Sequence, residues 1–181
     1  HLVKDQGVAL AADDVILTCG AAGGLNVLFK SILNPGDEVL ALAPYFVEYG
    51  AYVGNHNGVF RTVPTTPDSF AIDLDALEAA ITPKTRALIV NSPNNPTGQI
   101  YSREELVALA ALLDKKSRAA NRPIFLVSDE PYRFLAYDGV EVPSLLPLYD
   151  FAVVASSFSK NLSMPGERVG YLILSPRMQE R

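Results

Sequence analysis

The sequence predicts an α/β domain, a three-layer α/β/α sandwich built on a mostly parallel seven-stranded sheet. Two observations carry that expectation. Seven short apolar runs alternate with longer segments of helical periodicity, the signature of stacked βαβ units. Several of the runs, "EVLALA" and "RALIVN" among them, are almost continuously apolar, as strands covered on both faces must be.

Taken in order, "VILTC" (15–19) is a β-rich run, and "AAGGLNVLFKSIL" (21–33) then places apolar residues at helical spacing. "NPGDE" (34–38) is turn chemistry and leads into the second strand, "EVLALA" (38–43). A helical pattern, "FVEYGAYVGN" (46–55), precedes the strand "GVFRTV" (58–63). The helix "DLDALEAAI" (73–81) precedes the strand "RALIVN" (86–91), and "NNPTG" (94–98) is a second constrained turn. The longest helix, "SREELVALAALLDKKSRAA" (102–120), opens with Ser102 and Glu105 spaced as a capping box. The last three strands are "PIFLVSD" (123–129), "FAVVAS" (151–156) and "VGYLIL" (169–174). With no repeat and no linker, residues 1–181 read as one domain.

Composition excludes several classes. The 181 residues carry 15 Lys+Arg against 20 Asp+Glu, a net charge of −5, with no concentrated basic face for nucleic acid. Cys19 is the single cysteine, so no disulfide framework exists and a reducing, cytoplasmic setting is expected. No signal-peptide pattern and no apolar run of about 18 residues points to a membrane. No metal is expected. The chain opens on His1 and closes on "SPRMQER", and both ends read as cut from something longer.

Open α/β sheets bind ligands beyond the carboxyl ends of their strands, so the residues there matter most. After the first strand, "TCGAAGG" brings the amides of Gly20, Ala21 and Ala22 to a helix start, where an anion could sit. By itself this is a tight βα turn. After the second strand come Tyr45, Phe46 and Tyr49. Phe46 could lie flat on a bound ring and the tyrosines could line the same mouth, although single aromatics there usually pack in the core. "NSPNNPTG" presents Asn95 from a rigid turn. Asp129 closes an apolar run, where a buried carboxylate needs a partner; a surface capping role is the alternative. The sixth strand ends in Ser156, Ser157, Ser159 and Lys160, with Arg168 beyond. A lone lysine is usually a solvated charge, but here small hydroxyl residues leave room for an anion beside an amine able to react.

Together these residues assemble an anion cradle, a flat aromatic, an amide, a carboxylate, a phenol (Tyr132), an amine and a guanidinium along one edge. That inventory suits pyridoxal 5′-phosphate. The ordered motifs "GAAGG", "PYFVEY", "NSPNNPTG", "SDEPY" and "SFSKNLSMPGERVGY" resemble the large domain of fold-type I pyridoxal-phosphate enzymes, specifically the class I/II aminotransferases, over about residues 13–176. The resemblance implies that Lys160 forms the Schiff base and moves the substrate proton, and that Asp129 pairs with the pyridinium N–H. It implies that Tyr132 and Asn95 bond the ring oxygen, Asn95 also contacting the substrate carboxylate, and that Phe46 stacks on the ring. The amides of Ala21 and Ala22, with Ser157, Arg168 and Ser159, would hold the phosphate. It also implies cis bonds at Ala43–Pro44 and Asn95–Pro96, and a homodimer acting on an amino acid and a 2-oxo acid.

Relative to that family, this sequence lacks the N-terminal segment and the small C-terminal domain that supplies an arginine for the substrate carboxylate. The domain is therefore expected to hold cofactor but to turn over poorly alone. Two other uses of the same cofactor stay open: a C–S lyase acting by β-elimination, and an aminotransferase-like sensor domain of a transcriptional regulator. A nucleotide-binding domain is disfavoured, since GxGxxG is absent.

Overall fold

The computed structural model describes residues 2–180. Its strands are β1 (Val15–Cys19), β2 (Glu38–Ala43), β3 (Val59–Pro64), β4 (Thr85–Asn91), β5 (Phe125–Asp129), β6 (Ala152–Ser157) and β7 (Val169–Leu174). Its helices are α1 (Leu2–Gln6), α2 (Gly20–Ile32), α3 (Tyr49–Gly54), α4 (Leu74–Ala80), α5 (Arg103–Ala120) and α6 (Phe158–Asn161), with short 3-10 turns at Ala12–Asp14 and Pro176–Glu180. Every strand falls on an apolar run identified in the sequence. α1 and α6 have no such signal, and α3 starts at Tyr49 rather than at Phe46.

The strands form one sheet in the order β1-β7-β6-β5-β4-β2-β3. Pairings among β2 to β6 are all parallel, whereas β7 runs antiparallel to both β6 and β1. Only residues 158–168 separate β6 from β7. A parallel return needs a crossover of about a dozen residues or more, so the chain doubles back instead. That reversal has a functional result: the start of β7 arrives at the edge where the parallel strands end.

Strand alternation divides the core into two layers. Along β4, Leu88 and Val90 face α4 and α5 and pack with Leu106, Leu109 and Leu113, all buried. Ala87 and Ile89 face α2 and α3 and pack with Leu25, Phe29, Tyr49 and Val53. Each of the buried leucine, isoleucine, valine and phenylalanine side chains contributes about 1.5–3 kcal/mol of burial. The capping box expected for α5 is present, and α4 carries a cap of its own. Ser102 Oγ accepts from Glu105 N at 3.2 Å and Glu105 Oε2 accepts from Ser102 N at 2.8 Å, completing the capping box of α5. Asp73 caps α4 by accepting from Ala76 N at 2.9 Å.

Ala43–Pro44 and Asn95–Pro96 are both cis, and so is Ser92–Pro93, for which the sequence raised no expectation. Among the described residues, no helix is long and apolar enough to cross a membrane.

Candidate active site

A cavity of about 270 Å³ opens where the parallel strands end. Asn91, Asp129 and Ser157 reach it as the last residues of β4, β5 and β6, and Ala21 and Ala22 from the first turn of α2. Arg168 enters from the residue before β7, and Lys160 from α6.

Asp129 lies at the floor. It is 6% exposed, and its Oδ2 accepts from Tyr49 Oη at 2.6 Å. Its Oδ1 is buried and has no hydrogen-bond partner. Burial pushes this carboxyl up to about 6; the Tyr49 hydrogen bond pulls against that rise, and the neighbouring Glu130 charge adds to it. Tyr49 is itself held well above the usual phenol range, by burial and then by the Asp129 charge.

Asn91 sets this floor in place. Its Nδ2 donates to the Asp129 backbone carbonyl at 2.8 Å, and its Oδ1 accepts from Asn95 N at 2.6 Å. The "NNPTG" turn is closed by Asn94, whose Oδ1 accepts from Thr97 N and Oγ1 at 3.1 and 2.9 Å. Asn94 is thereby occupied, and Asn95 lines the cavity.

Phe46 forms a wall, edge-on to Tyr49 with ring centroids 5.6 Å apart. Tyr45 turns away and packs on Phe60 at 5.1 Å, half-buried against the edge of the core rather than at the mouth. Tyr132 also lines the cavity, and Lys160 Nζ stands 5.9 Å from its ring centroid. Lys160 is exposed at the rim.

The serines separate by strand alternation. Ser157 and Ser159 line the cavity, whereas Ser156 faces the opposite way and donates to the Glu130 carbonyl at 3.1 Å. Arg168 donates from Nη1 to the Pro165 carbonyl at 3.0 Å, and its guanidinium lies against Gly20. Gly20 is not part of the lining; it makes the cradle possible. Its φ of +70° is left-handed, and a Cβ there would come within 2.8 Å of Arg168 Nη2. Gly170, on β7, passes directly beneath: a Cβ on it would sit 2.4 Å from the Gly20 carbonyl carbon and 2.7 Å from Ala21 N. Gly170→Ala is therefore expected to push the first turn of α2 outward and to destabilise the chain by about 1–3 kcal/mol. Thermal melting checks this, and an unchanged melting temperature would refute the close approach.

Sequence inspection did not mark Asn91, nor the hydroxyl of Tyr49 as the partner of Asp129. Nothing in their spacing announces a hydrogen bond across the sheet edge. Glu48 and Tyr52, which are hydrogen-bonded to each other at the rim, were likewise missed. Burial pushes the Tyr52 phenol up, and its bond to Glu48 adds to the rise.

The profile of the family "Aminotransferase class I and II" matches residues 1–181. The chain is 40% identical over 169 residues to a probable aspartate/prephenate aminotransferase of Thermus aquaticus, covering 93% of this chain and 43% of that protein. It is 39% identical to the aspartate/prephenate aminotransferase of Thermus thermophilus, with 93% and 42% covered. Among solved structures, it superposes on an aminotransferase of Eubacterium rectale with a TM-score of 0.95 at 43% identity, covering 97% of this chain and 44% of that one. The chain thus spans well under half the length of these relatives. The five motifs, the sheet order and these likenesses lead to one assignment: the chain belongs to the class I and II aminotransferase family.

Proposed function

We propose that this domain holds pyridoxal 5′-phosphate on Lys160 and serves a whole enzyme that moves an amino group between an L-amino acid and a 2-oxo acid. The observation that carries the proposal is Asp129 Oδ1, a buried carboxylate oxygen with no partner, on a residue lining a cavity that also holds an amine, a phenol, an amide and a guanidinium. Such an oxygen is costly unless a ligand completes it, and a protonated ring nitrogen is the complement it lacks. The residues present fit the cofactor. Bound there, it would supply an aldehyde that captures amines and a cationic ring that withdraws electrons from the adjoining carbon.

The chain's own residues then take distinct tasks. Asp129, ionised, holds the proton on the ring nitrogen. Tyr132 and Asn95 donate to the ring oxygen, and Phe46 covers one face of the ring. The amides of Ala21 and Ala22, the hydroxyls of Ser157 and Ser159, and the Arg168 guanidinium take the phosphate at the positive end of α2. Lys160 Nζ is the covalent anchor and the base that moves a proton at the substrate α-carbon. The homodimer and the cytoplasmic location that accompany this family belong to the same proposal.

Incubation with the cofactor, borohydride reduction and peptide mapping are expected to label Lys160 alone; a label on another lysine overturns the assignment. In the whole protein, an amino acid and a 2-oxo acid should exchange their nitrogen with no free ammonia. Ammonia release would mean elimination instead.

Tyr49→Phe removes the hydrogen bond that holds the Asp129 carboxyl down. That carboxyl should then titrate above about 6, and cofactor affinity at neutral pH should fall about ten-fold. Fluorescence titration checks this, and wild-type affinity across the pH range would contradict it.

A further inference from the structure

Asp129 and Glu130 are consecutive, yet their carboxylates leave the end of β5 on opposite faces, as side chains of an extended chain do. Asp129 enters the cavity; Glu130 turns to the reverse face, where it is 4% exposed. There its carboxylate is fully partnered. Oε1 accepts from Ser128 Oγ at 2.8 Å, and Oε2 accepts from Gln6 Nε2 at 2.8 Å and Arg133 Nη1 at 3.2 Å. The ties extend outward: Gln6 Oε1 accepts from Ser144 Oγ at 2.5 Å, and Arg133 Nη2 donates to the carbonyls of Asp5 and Val142 at 2.8 and 2.5 Å. The Glu130 main chain is fixed too, its N–H donating to the Ala155 carbonyl at 2.8 Å and its carbonyl accepting from Ser156 Oγ.

A buried carboxylate with this many donors resists displacement, because removing one donor strands charge in a dry site. Two residues further on, Tyr132 returns to the cavity. The short peptide from Asp129 to Tyr132 thus carries three cavity-lining residues, Asp129, Pro131 and Tyr132, and one anchor behind.

We propose that Glu130 is a positioning residue. Clamped by Gln6, Ser128 and Arg133, it fixes the direction in which Asp129 and Tyr132 enter the cavity, so that docking of α1 on the reverse face governs how tightly the cavity holds its cofactor. The inference rests on the cofactor reading of Asp129 and Tyr132. Around Asp129 stand Tyr49 of α3, Tyr132, and Lys160 of α6. Around Glu130 stand Arg133, Asp5 of α1 and Tyr171 of β7.

Glu130→Gln is the test, with Gln6→Leu as a second variant that keeps the carboxylate and cuts its direct tie to α1. In both, amides from 129 to 133 should exchange hydrogen about ten-fold faster than wild type while β4 keeps its rate, and the Kd for pyridoxal 5′-phosphate at about pH 8 should rise about ten-fold. In Glu130→Gln the Asp129 carboxyl, followed by carbon NMR in the cofactor-free chain, should also titrate at lower pH, since a neighbouring negative charge is gone. Wild-type exchange at 129–133, acceleration spread evenly over β4 and β5, or an unchanged Kd in a chain that binds the cofactor each overturns the inference. Local acceleration in a chain whose wild type takes up no cofactor would sink the functional reading and leave the clamp standing.

Discussion

Lys160→Ala will retain no pyridoxal 5′-phosphate after reduction and unfolding, and in the whole protein it will lower turnover by about 10,000-fold, the upper range for losing a positioned base. The expectation follows from where the amine stands. Lys160 reaches the cavity from α6, at the rim and beside Tyr132, and among the described residues no other lysine lines that space. Its removal leaves Asp129, Asn95, Arg168 and the α2 amides untouched, so reversible cofactor binding should survive in weakened form. Dialysis separates the two states: the wild type keeps its colour and the variant loses it. A variant that stays labelled after reduction would place the covalent anchor elsewhere.

Asp129→Asn is expected to act in opposite directions on binding and on stability. Cofactor affinity should fall about a hundred-fold, because the amide carries no charge to hold a proton on the ring nitrogen. The cofactor-free chain, in contrast, should gain stability above about pH 7. A carboxyl raised from 3.8 to about 6 is a penalty of about 3 kcal/mol once it is ionised in both the folded and the unfolded chain. The sign is that of a raised acid. Below about pH 4 both states hold the proton and the penalty vanishes; it grows as pH climbs toward 6 and is constant beyond. The asparagine amide introduces its own unpaired donor, so the net gain at about pH 8 should be about 1–2 kcal/mol, absent at about pH 4. Denaturant unfolding at the two pH values measures it, and equal differences at both would contradict the buried-charge account. By the same titration, wild-type cofactor affinity should rise as pH passes upward through about 6, and this dependence should be missing in the asparagine variant.

Much of this was legible beforehand, for physical reasons that differ between fold and site. The central strands β2, β4, β5 and β6, buried on both faces, must be apolar throughout and announced themselves, whereas the edge strands β1 and β3, largely exposed, showed only as short β-rich runs. Strand direction leaves no such trace: "VGYLIL" reads alike in either sense, and only the brevity of residues 158–168 makes β7 antiparallel. Pattern placed the start of α3 at Phe46, but a residue that turns its ring into a cavity beside a cis proline is not yet helical. In the site, Asp129 and Lys160 stood out because charge at the end of an apolar run is unusual. The uncharged Asn91 hides among ordinary core residues, and Tyr49, expected at the mouth, reveals its bond to Asp129 only when two elements meet. Ser156 and Ser157 look equivalent in the sequence, and the pleat alone decides that one faces the cavity and the other Glu130.

The edge position of β1 carries a consequence for biosynthesis. Among the described residues its only sheet partner is β7, with Cys19 paired to Val169 and Thr18 to Gly170. As the chain leaves the ribosome, β1 is the first strand of this sheet to be made, and it must wait for the seventh before it can dock. The helix start that would grip a phosphate is consequently set only after β7 is made, and a nascent chain halted before residue 169 has the other six strands without that grip.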